Sequence, residues 1–448
     1  MPARRQLPRH RSGRFVNWAR TETSQPAEWC LPTSEREAVE AVERVAARGG
    51  TVRVVGAGHS WSRIAAPDDV AMSLDALTGP VEIEAARQTV TVPGGMRLRD
   101  LSAVLLRSGL SLPIVGSIQA QSVAGAIATG THGSSLAHGN LASLVTAMRL
   151  VTGTGEVLDI GQDDPRLDGV RVHLGALGVV TRVTLRVREA TRLHQSVEHL
   201  PVGEVPDAVA EIAASAEYVK VWWLAHTRSA QVIRYTRTTD VATRRPSAVT
   251  SRWIDERLMH RWVFPALVGV QHRRPTITAG VNERLSRIYL GAASQVGQDG
   301  LMLNTPMPMR HRETEAAVPM AKAPEAVRRV LGLFGGGRPA VTFPLEIRFV
   351  RGDRAWMSPA SVWEGGGGDT CQIGAYSTNG PDCTSYFDAF WRAMRPLGAR
   401  PHWGKEMDHT AAELAASYPD FACFGALRDE LDPQRVFGGA FHRRVLGS

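Results

Sequence analysis

The chain has 448 residues, of which 43% are hydrophobic and 21% charged, a composition typical of soluble globular proteins and long enough for two domains. No apolar run approaches the roughly 20 residues that span a bilayer, so no membrane span is predicted. The net charge of +8, from 52 basic and 44 acidic residues, comes without an arginine-rich helix interleaved with aromatic residues, so nucleic-acid binding is not predicted.

The amino end is basic, and its paired arginines, Arg4 and Arg5, raise the question of twin-arginine export. No apolar segment follows them, so we expect a solvated tail rather than a signal peptide. The four cysteines fit neither a C-x-x-C motif nor zinc spacing, and we expect a reduced, cytoplasmic protein with no metal site. Arginine far outnumbers lysine, which indicates a GC-rich bacterial genome.

The first predicted elements are a helix over residues 33–48 and a strand over residues 51–55. Ser34 is the expected N-cap with Glu37 in the capping-box position, and two glycines end the helix. Further strands are predicted near 81–84, 89–92 and 146–151, and a helix over 97–108. This alternation over residues 1–190 predicts an α+β nucleotide-binding domain.

The most informative stretch follows the strand at 51–55 and reads Gly56-Ala57-Gly58-His59-Ser60-Trp61. Its glycines can bring backbone N–H groups close to a phosphate. Trp61 stands where a dinucleotide-binding Rossmann fingerprint needs its third glycine, which argues against that fold. The stretch therefore predicts a phosphate-binding glycine loop that carries an imidazole, His59.

Two more stretches are rich in glycine. Residues 116–135 are nearly all small, hydroxylated or glycine, so this stretch has little side chain for a core and many groups to offer a flat anionic ligand. Residues 173–181 run into the alternating strand at 182–187. An ordinary buried turn is the alternative for 116–135, which the entropy of ordering so many small residues disfavours.

From about residue 191 the composition changes, with more tryptophan, arginine and threonine. Strands are predicted near 219–225, 231–236 and 341–350, and helices over 206–216 and 324–334. Residues 244–287 are predicted to be partly helical, and 365–368 to form a glycine turn. We place a substrate (cap) domain at 191–400 and a carboxyl-terminal segment at 401–448.

Together the three glycine stretches resemble the flavin domain of the vanillyl-alcohol-oxidase type, also called the PCMH-type FAD-binding domain. His402-Trp403-Gly404-Lys405 is similar to the "HWGK" signature of the sugar-1,4-lactone oxidase and alditol oxidase branch. The tryptophan pair in 221–227 and the ending after Asp432-Pro433 also fit. The resemblance covers roughly residues 14–447 and implies a two-domain α+β flavoprotein that ends in a segment returning to the flavin.

The resemblance implies that His59 forms a covalent bond to the 8α-methyl carbon of FAD; the alternative is that it only bonds a phosphate or caps the turn. A second link through cysteine is not expected, since no cysteine lies between Cys30 and Cys371. Residues 116–135 would hold the pyrophosphate and one edge of the isoalloxazine, and 175–179 the adenine or ribose. The predicted FAD contacts are Gly56, Ala57, Gly58, His59, Ser60, Gly116, Ser117, Ser122, Gly125, Thr129, Gly130, Thr131, His132, Gly133, Gly175, Gly178, Val179 and Lys405.

Glu346 and Arg348 alternate along a predicted strand and therefore share one face. Spacing alone favours a surface ion pair, but the resemblance implies the substrate-binding Glu-x-Arg pair of the family. Lys405 would lie beside the flavin and the substrate hydroxyl, where a cation stabilises an alkoxide. Ser122 is expected near flavin N5 or the substrate.

The predicted reaction is oxidation of a CH–OH group of a sugar-derived polyol or lactone by hydride transfer to flavin N5. Reoxidation uses O₂ or another acceptor, and Ala124 and Gly125 are the candidates for gating O₂ access. One alternative keeps the flavin and takes an aminosugar, cyclitol or glycoside, for which Asp353, Glu364 and Asp369 are candidate acidic groups. The other is a non-catalytic flavin-binding module.

The sequence departs from the family pattern at three places. Ala316 lacks an aromatic ring, and Ala321-Lys322 lacks an acidic partner. Gly438-Gly439-Ala440 lacks an asparagine. We expect these changes on the cap and substrate side, where they would alter the donor.

Overall fold

The computed structural model describes residues 13–243, 262–289, 294–305, 307, 309–337, 339–363, 368–378, 380 and 382–447. Four arginines of the basic tail lie outside the described residues, as do residues 244–261 of the predicted helical stretch. Glu364 and the glycines at 365–367 lie outside them too. None of the helices in the described ranges is long and apolar enough to cross a membrane.

The strands, in chain order, are β1 (Phe15–Val16), β2 (Thr23–Ser24), β3 (Glu28–Cys30), β4 (Val52–Val54), β5 (Val70–Met72), β6 (Glu82–Glu84), β7 (Thr89–Pro93), β8 (Leu110–Ser111), β9 (Val145–Val151), β10 (Val157–Ile160), β11 (Val179–Arg186), β12 (Arg188–Glu189), β13 (Arg192–Pro201), β14 (Tyr218–Leu224), β15 (Ser229–Thr238), β16 (Gln295–Gln298), β17 (Arg312–Pro319), β18 (Pro344–Val350), β19 (Thr370–Ser377) and β20 (Arg400–Pro401).

The helices are α1 (Glu35–Ala47), α2 (Leu98–Arg107), α3 (Val123–Ala128), α4 (Leu167–Arg171), α5 (Val205–Ala214), α6 (Phe264–Arg273), α7 (Thr278–Tyr289), α8 (Asp299–Met302), α9 (Ala323–Leu331), α10 (Cys383–Met394), α11 (Ala411–Ser417), α12 (Phe421–Leu431) and α13 (Ala440–Leu446).

The mixed α and β content confirms the predicted fold class. A parallel sheet of order β3-β5-β4 and an antiparallel sheet of order β10-β9-β11-β7-β6 build the amino-terminal half. An eight-stranded sheet of order β16-β13-β15-β14-β18-β19-β17-β20 builds the cap, with α5, α9 and α10 packed on one face. The opposite face of β17, β18 and β19 is left for polar side chains.

The carboxyl-terminal segment packs back into the amino-terminal half. Trp403, Tyr418 and Phe424 are buried in the same core as the five-stranded sheet. At the start of this segment, the backbone of residues 402–406 bonds along β17: His402 N–H donates to Glu315 O and Glu406 N–H to Glu313 O. This pairing brings the "HWGK" residues beside β17.

Most predicted elements are found with shifted ends. Ser34 caps α1 by accepting the Glu37 N–H at 3.3 Å, but the Glu37 carboxylate turns to the Thr33 N–H, so the expected capping box does not close on Ser34. The helix predicted to reach residue 334 ends at Leu331, and a 3₁₀ segment, Gly332–Gly337, continues it. The strand predicted from residue 341 begins at Pro344.

Two buried histidines make stability pH-dependent. His442 Nδ1 accepts a hydrogen bond from Arg53 at 2.9 Å, and burial together with that charge holds the pKa of His442 well below its usual value. Burial lowers the pKa of His409 from 6.5 to about 4. Both rings are therefore neutral in the folded protein at pH values where the unfolded chain binds protons.

The free energy of unfolding is expected to fall as the pH drops from 6.5 towards 4, by up to about 1.4 kcal/mol per pH unit for each histidine. Above pH 6.5 neither state binds these protons and the contribution vanishes. Urea unfolding at several pH values measures this slope. His409→Gln is expected to flatten it and the exposed control His199→Gln to leave it unchanged; equal slopes in all three proteins would contradict the assignment.

Candidate active site

Two adjoining cavities meet at the glycine loop of residues 56–60. The first, of about 850 Å³, lies between this loop, α3 and residues 173–180. The second, of about 690 Å³, lies between the loop and the polar face of the cap sheet. His59 and Ser60 line both cavities.

The structure brings most of the predicted cofactor residues to these cavities. Those lining the first are Gly56, Ala57, Gly58, His59, Ser60, Ser122, Gly125, Thr129, Gly175 and Gly178. Those lining the second are His59, Ser60, Gly116, Ser117, Thr129, Thr131, His132 and Lys405, together with Glu346 and Arg348. Gly133 lines a smaller neighbouring cavity with Ser117 and Arg348.

Gly130 and Val179, two of the predicted contacts, line none of these three cavities. Val179 is fully buried in the core between β11 and α1, where it pairs with Val151. Gly130 lies against Pro359, whose Cδ would be 3.3 Å from an added Cβ. The alternation along β11 sends Val179 to the core, which a glycine-rich surrounding sequence did not reveal.

The glycine loop depends on two glycines. Gly58 has a φ of +68°, a conformation that glycine adopts without strain. Gly56 lies so close to Ser122 that a Cβ would be 2.5 Å from its Oγ. Ser122 in turn caps α3 by accepting the Gly125 N–H at 3.3 Å. Ser122 lines the first cavity and not the second, and its predicted contact with flavin N5 or the substrate stays a prediction.

His59 stands where the two cavities join. Its Nδ1 is buried and has no hydrogen-bond partner within the described part of the chain, and Trp18 stacks on the ring at a centroid distance of 5.5 Å. Burial, with added repulsion from the charges of Arg97 and Lys405, lowers the pKa of His59 from 6.5 to about 4. The imidazole is therefore neutral at physiological pH and keeps one nitrogen uncommitted.

Glu346 and Arg348 share the polar face of β18, while Leu345, Ile347 and Phe349 enter the cap core, as the alternation predicts. Across the sheet, Trp222 is the register partner of Glu346 and Lys220 that of Arg348. The sheet order β14-β18-β19-β17 thus places four strands' polar residues on one surface above the loop.

Glu346 is surrounded by donors. Its Oε1 accepts from Trp222 Nε1 at 2.8 Å and faces Lys220 Nζ at 3.7 Å; its Oε2 accepts from the Tyr376 hydroxyl at 2.7 Å and from Arg348. Burial raises the pKa of Glu346, but the charges of Arg348 and Lys220 outweigh it and bring the pKa to about 2. Arg348 also donates to Ser117 Oγ at 2.7 Å, which ties the cap to the glycine-rich stretch.

Lys405 forms an ion pair with buried Glu313 of β17 and lies 4.2 Å from the centre of the Trp61 ring. Burial raises the pKa of Glu313, and the charge of Lys405 more than reverses this shift. The lysine is thus a fixed cation with one carboxylate partner, placed where both the loop and the cap sheet face the cavity.

Three further side chains converge behind Lys405. The donor atoms of His132, Glu315 and His402 lie within 4.8 Å of one another, close enough to raise the question of a metal site. His402 Nδ1 accepts the Gly404 N–H at 3.0 Å, and burial lowers the pKa of His402 to about 3. In this neutral ring Nε2 carries the proton and has no lone pair for a metal, which leaves two ligands only.

His132 has oxygen acceptors on both sides of its ring. Nδ1 faces Gly133 O at 2.9 Å and Nε2 faces Glu315 Oε1 at 2.8 Å. Burial raises the pKa of Glu315, but the charge of His132 holds it well below the usual value. Both nitrogens of His132 are therefore engaged, Nδ1 with a backbone carbonyl and Nε2 with the Glu315 carboxylate.

Sequence reasoning missed several residues of this site. They are Lys220, Trp222, His311, Glu313, Glu315, Tyr376 and His402. Glu313 and Glu315 alternate on β17 in the same way as Glu346 and Arg348 on β18, and this period of two was an available signal. The positions of the others depend on strand order.

Two of the three departures from the family pattern lie in the cap, as expected. Ala316 is fully buried in the cap core, and Lys322 is exposed and donates to Leu397 O at 2.8 Å. Gly439 lies near Asp68 at the start of α13 instead. None of these three residues lines the second cavity, and their effect on the donor stays a prediction.

Two protein-family models match the sequence of the chain. The model described as D-arabinono-1,4-lactone oxidase matches residues 183–445, and the model described as FAD binding domain matches residues 26–161. The chain is 32% identical to the L-gulono-1,4-lactone dehydrogenase of Mycobacterium tuberculosis, over 97% of this chain and 99% of that protein. It is 31% identical to the alditol oxidase of a Streptomyces species, over 96% and 98%.

Among solved structures, cholesterol oxidase from B. sterolicum superposes with a TM-score of 0.84 at 17% identity, over 97% of this chain and 96% of that one. This likeness concerns the fold.

Proposed function

We propose that the chain, a member of the D-arabinono-1,4-lactone oxidase family and an FAD-dependent oxidoreductase of sugar-derived alcohols, oxidises a neutral polyol or sugar lactone. The donor would bind in the second cavity, against FAD held in the first. When bound, FAD accepts a hydride equivalent from the donor carbon. The observation that carries the proposal is the junction of the two cavities at His59, with Lys405 and Arg348 across the second one.

The residues present fit FAD. The loop at 56–60 is kept narrow by Gly56 against Ser122, so that backbone, rather than side chain, faces the first cavity. The unpartnered, neutral His59 supports covalent attachment, since an imidazole nucleophile must be unprotonated and uncommitted.

In the second cavity, Lys405 and Arg348 supply the charge that oxidation of an alcohol needs. A donor hydroxyl gains negative charge as its proton leaves, and fixed cations in a buried site stabilise that charge without reorganising. Glu313 and Glu346 hold these two cations in place through their ion pairs.

The acidic groups favour a neutral donor over an aminosugar. Glu313, Glu315 and Glu346 line the cavity, but each has its own internal cation. Asp353 bonds Asn140 and Ser358 instead of lining the cavity, and Asp369 bonds the Gly352 N–H. Among the described residues, no carboxylate that lines the second cavity is therefore left unpaired to bind an ammonium group.

We leave the electron acceptor as O₂ or another oxidant, since the similar proteins include a dehydrogenase and an oxidase. Ala124 and Gly125 line the first cavity at the start of α3, consistent with their proposed part in O₂ access. All four cysteines are free in the structure, which supports a reducing, cytoplasmic setting in a bacterium.

Acid precipitation of the purified protein tests the covalent flavin. We expect a yellow pellet for the unsubstituted protein and, for His59→Ala, a colourless pellet with any flavin in the supernatant. His409→Gln serves as the control, because His409 is buried away from both cavities. A yellow supernatant from the unsubstituted protein would contradict the covalent link but keep the flavoprotein assignment.

A further inference from the structure

Oxidation of an alcohol requires a group that accepts the hydroxyl proton, and the second cavity holds several titratable side chains. Every one of the three carboxylates lining it is occupied. Glu346 has four donors around it, Glu313 pairs with Lys405, and Glu315 pairs with His132. A carboxylate held by internal cations has little basicity left for a substrate.

The histidines of the second cavity differ in whether one ring nitrogen is free to accept a proton. His402 uses its Nδ1 lone pair on the Gly404 N–H, so its Nε2 is a donor. Neither nitrogen of His132 is free, because Nδ1 faces Gly133 O and Nε2 faces the Glu315 carboxylate. His59 is committed to the flavin in the proposed function.

His311 remains. Its Nδ1 lies 2.7 Å from the carbonyl oxygen of Met309, and because a carbonyl only accepts, Nδ1 carries the proton of the neutral ring. Among the described residues no donor lies within hydrogen-bond distance of its Nε2, and the ring lines the second cavity. The nearest charged atom is Glu313 Oε2, at 3.8 Å from Nε2, the same oxygen that pairs with Lys405.

Four aromatic rings pack around the His311 ring and hold it in this orientation. Trp18, Trp61 and Phe343 each lie 5.3 Å from it between ring centres, and Tyr376 lies 5.5 Å away. Trp61 Nε1 also donates to the backbone oxygen of His311 at 2.7 Å. Besides Glu313, the titratable groups around the ring are His59, Lys405 and Tyr376.

From this arrangement we propose that His311 is the general base of the reaction, a role that rests on the proposed function. The donor O–H bond breaks and an Nε2–H bond forms at His311. The electron pair of the donor C–H bond leaves with its hydrogen as hydride to FAD, and the carbon becomes a carbonyl. The carboxylate of Glu313 stabilises the imidazolium that results, while Lys405 keeps Glu313 ionised.

The test is the rate of flavin reduction, followed anaerobically by absorbance with alditols and sugar-1,4-lactones as donors, over a range of pH. The role of His311 predicts that the rate in the unsubstituted enzyme falls on the acidic side of the profile. In His311→Gln the rate is expected to drop about a hundredfold and to lose this acidic limb. The exposed control His199→Gln is expected to keep both the rate and the limb.

A second variant separates catalysis from folding. His311→Ala leaves a space that an imidazole molecule can fill. Added imidazole is expected to raise the rate of flavin reduction in this variant at least about tenfold, with an unchanged flavin spectrum. An acidic limb that persists in both variants, or a loss that imidazole does not restore, would overturn the role of His311. If no polyol or lactone reduces the flavin of the unsubstituted enzyme, the proposed function itself fails, and this role with it.

Discussion

Lys405→Met is expected to lower the rate of flavin reduction about a thousandfold at saturating donor. The methionine fills a similar volume but removes the fixed cation that stabilises the developing alkoxide. The flavin should still bind, since the first cavity does not include Lys405. Rapid mixing with donor under anaerobic conditions measures the rate directly.

The substitution also leaves Glu313 buried without its counter-ion, which costs about 3–5 kcal/mol of stability in comparable cases. The double variant Lys405→Met, Glu313→Gln removes the stranded charge. We expect it to recover the stability and not the rate. Lys322→Met changes an exposed lysine outside the cavity and should alter neither. A Lys405→Met enzyme that is reduced at the original rate would contradict the assignment of Lys405.

Arg348→Leu is expected to lower the same rate by about 10²–10³-fold. Arg348 holds Glu346 ionised and joins the cap to Ser117, so its loss affects both the charge and the position of the donor site. Arg348→Lys keeps the charge but not the guanidinium fork that reaches two partners, and an intermediate rate is expected. The exposed Arg87→Leu is the matched control.

The carboxylate of Glu346 gives this prediction a pH signature. Its pKa of about 2 lies below the ordinary value of 4.5, so the ion pair contributes stability above pH 4.5 that is lost as the pH falls towards 2. In Arg348→Leu the pKa of Glu346 in the folded protein should rise, because burial then acts with less opposition, so less stability is lost below pH 4.5. Urea unfolding between pH 2.5 and pH 6 measures this difference; an unchanged profile would contradict the coupling of Glu346 to Arg348.

The sequence by itself determined the features that depend on near neighbours in the chain. A strand followed by Gly56-Ala57-Gly58-His59 predicts a tight glycine loop, because positive φ and close backbone approach are local requirements. The period of two in β18 determined that Glu346 and Arg348 share a face. The same period of two places Glu313 and Glu315 on one face of β17.

Tertiary structure alone decided which of these faces meet. Glu313 pairs with Lys405 because residues 402–406 run along β17, and Trp222 reaches Glu346 because β14 is the neighbour of β18. Strand order is set by the packing of the whole sheet, and no local pattern specifies it. For the same reason the local pattern assigned Val179 to the cofactor, whereas the sheet buries it in the core.

The tertiary structure also decides which histidine nitrogens in the cavity carry a proton. Which nitrogen of a histidine is free depends on the partner of the other nitrogen. For His311 and His402 that partner lies two residues away along the chain, yet only the folded geometry shows whether the ring reaches it. The sequence thus supplied the residue types of the site, while the fold decided which of them are paired and which are free to react.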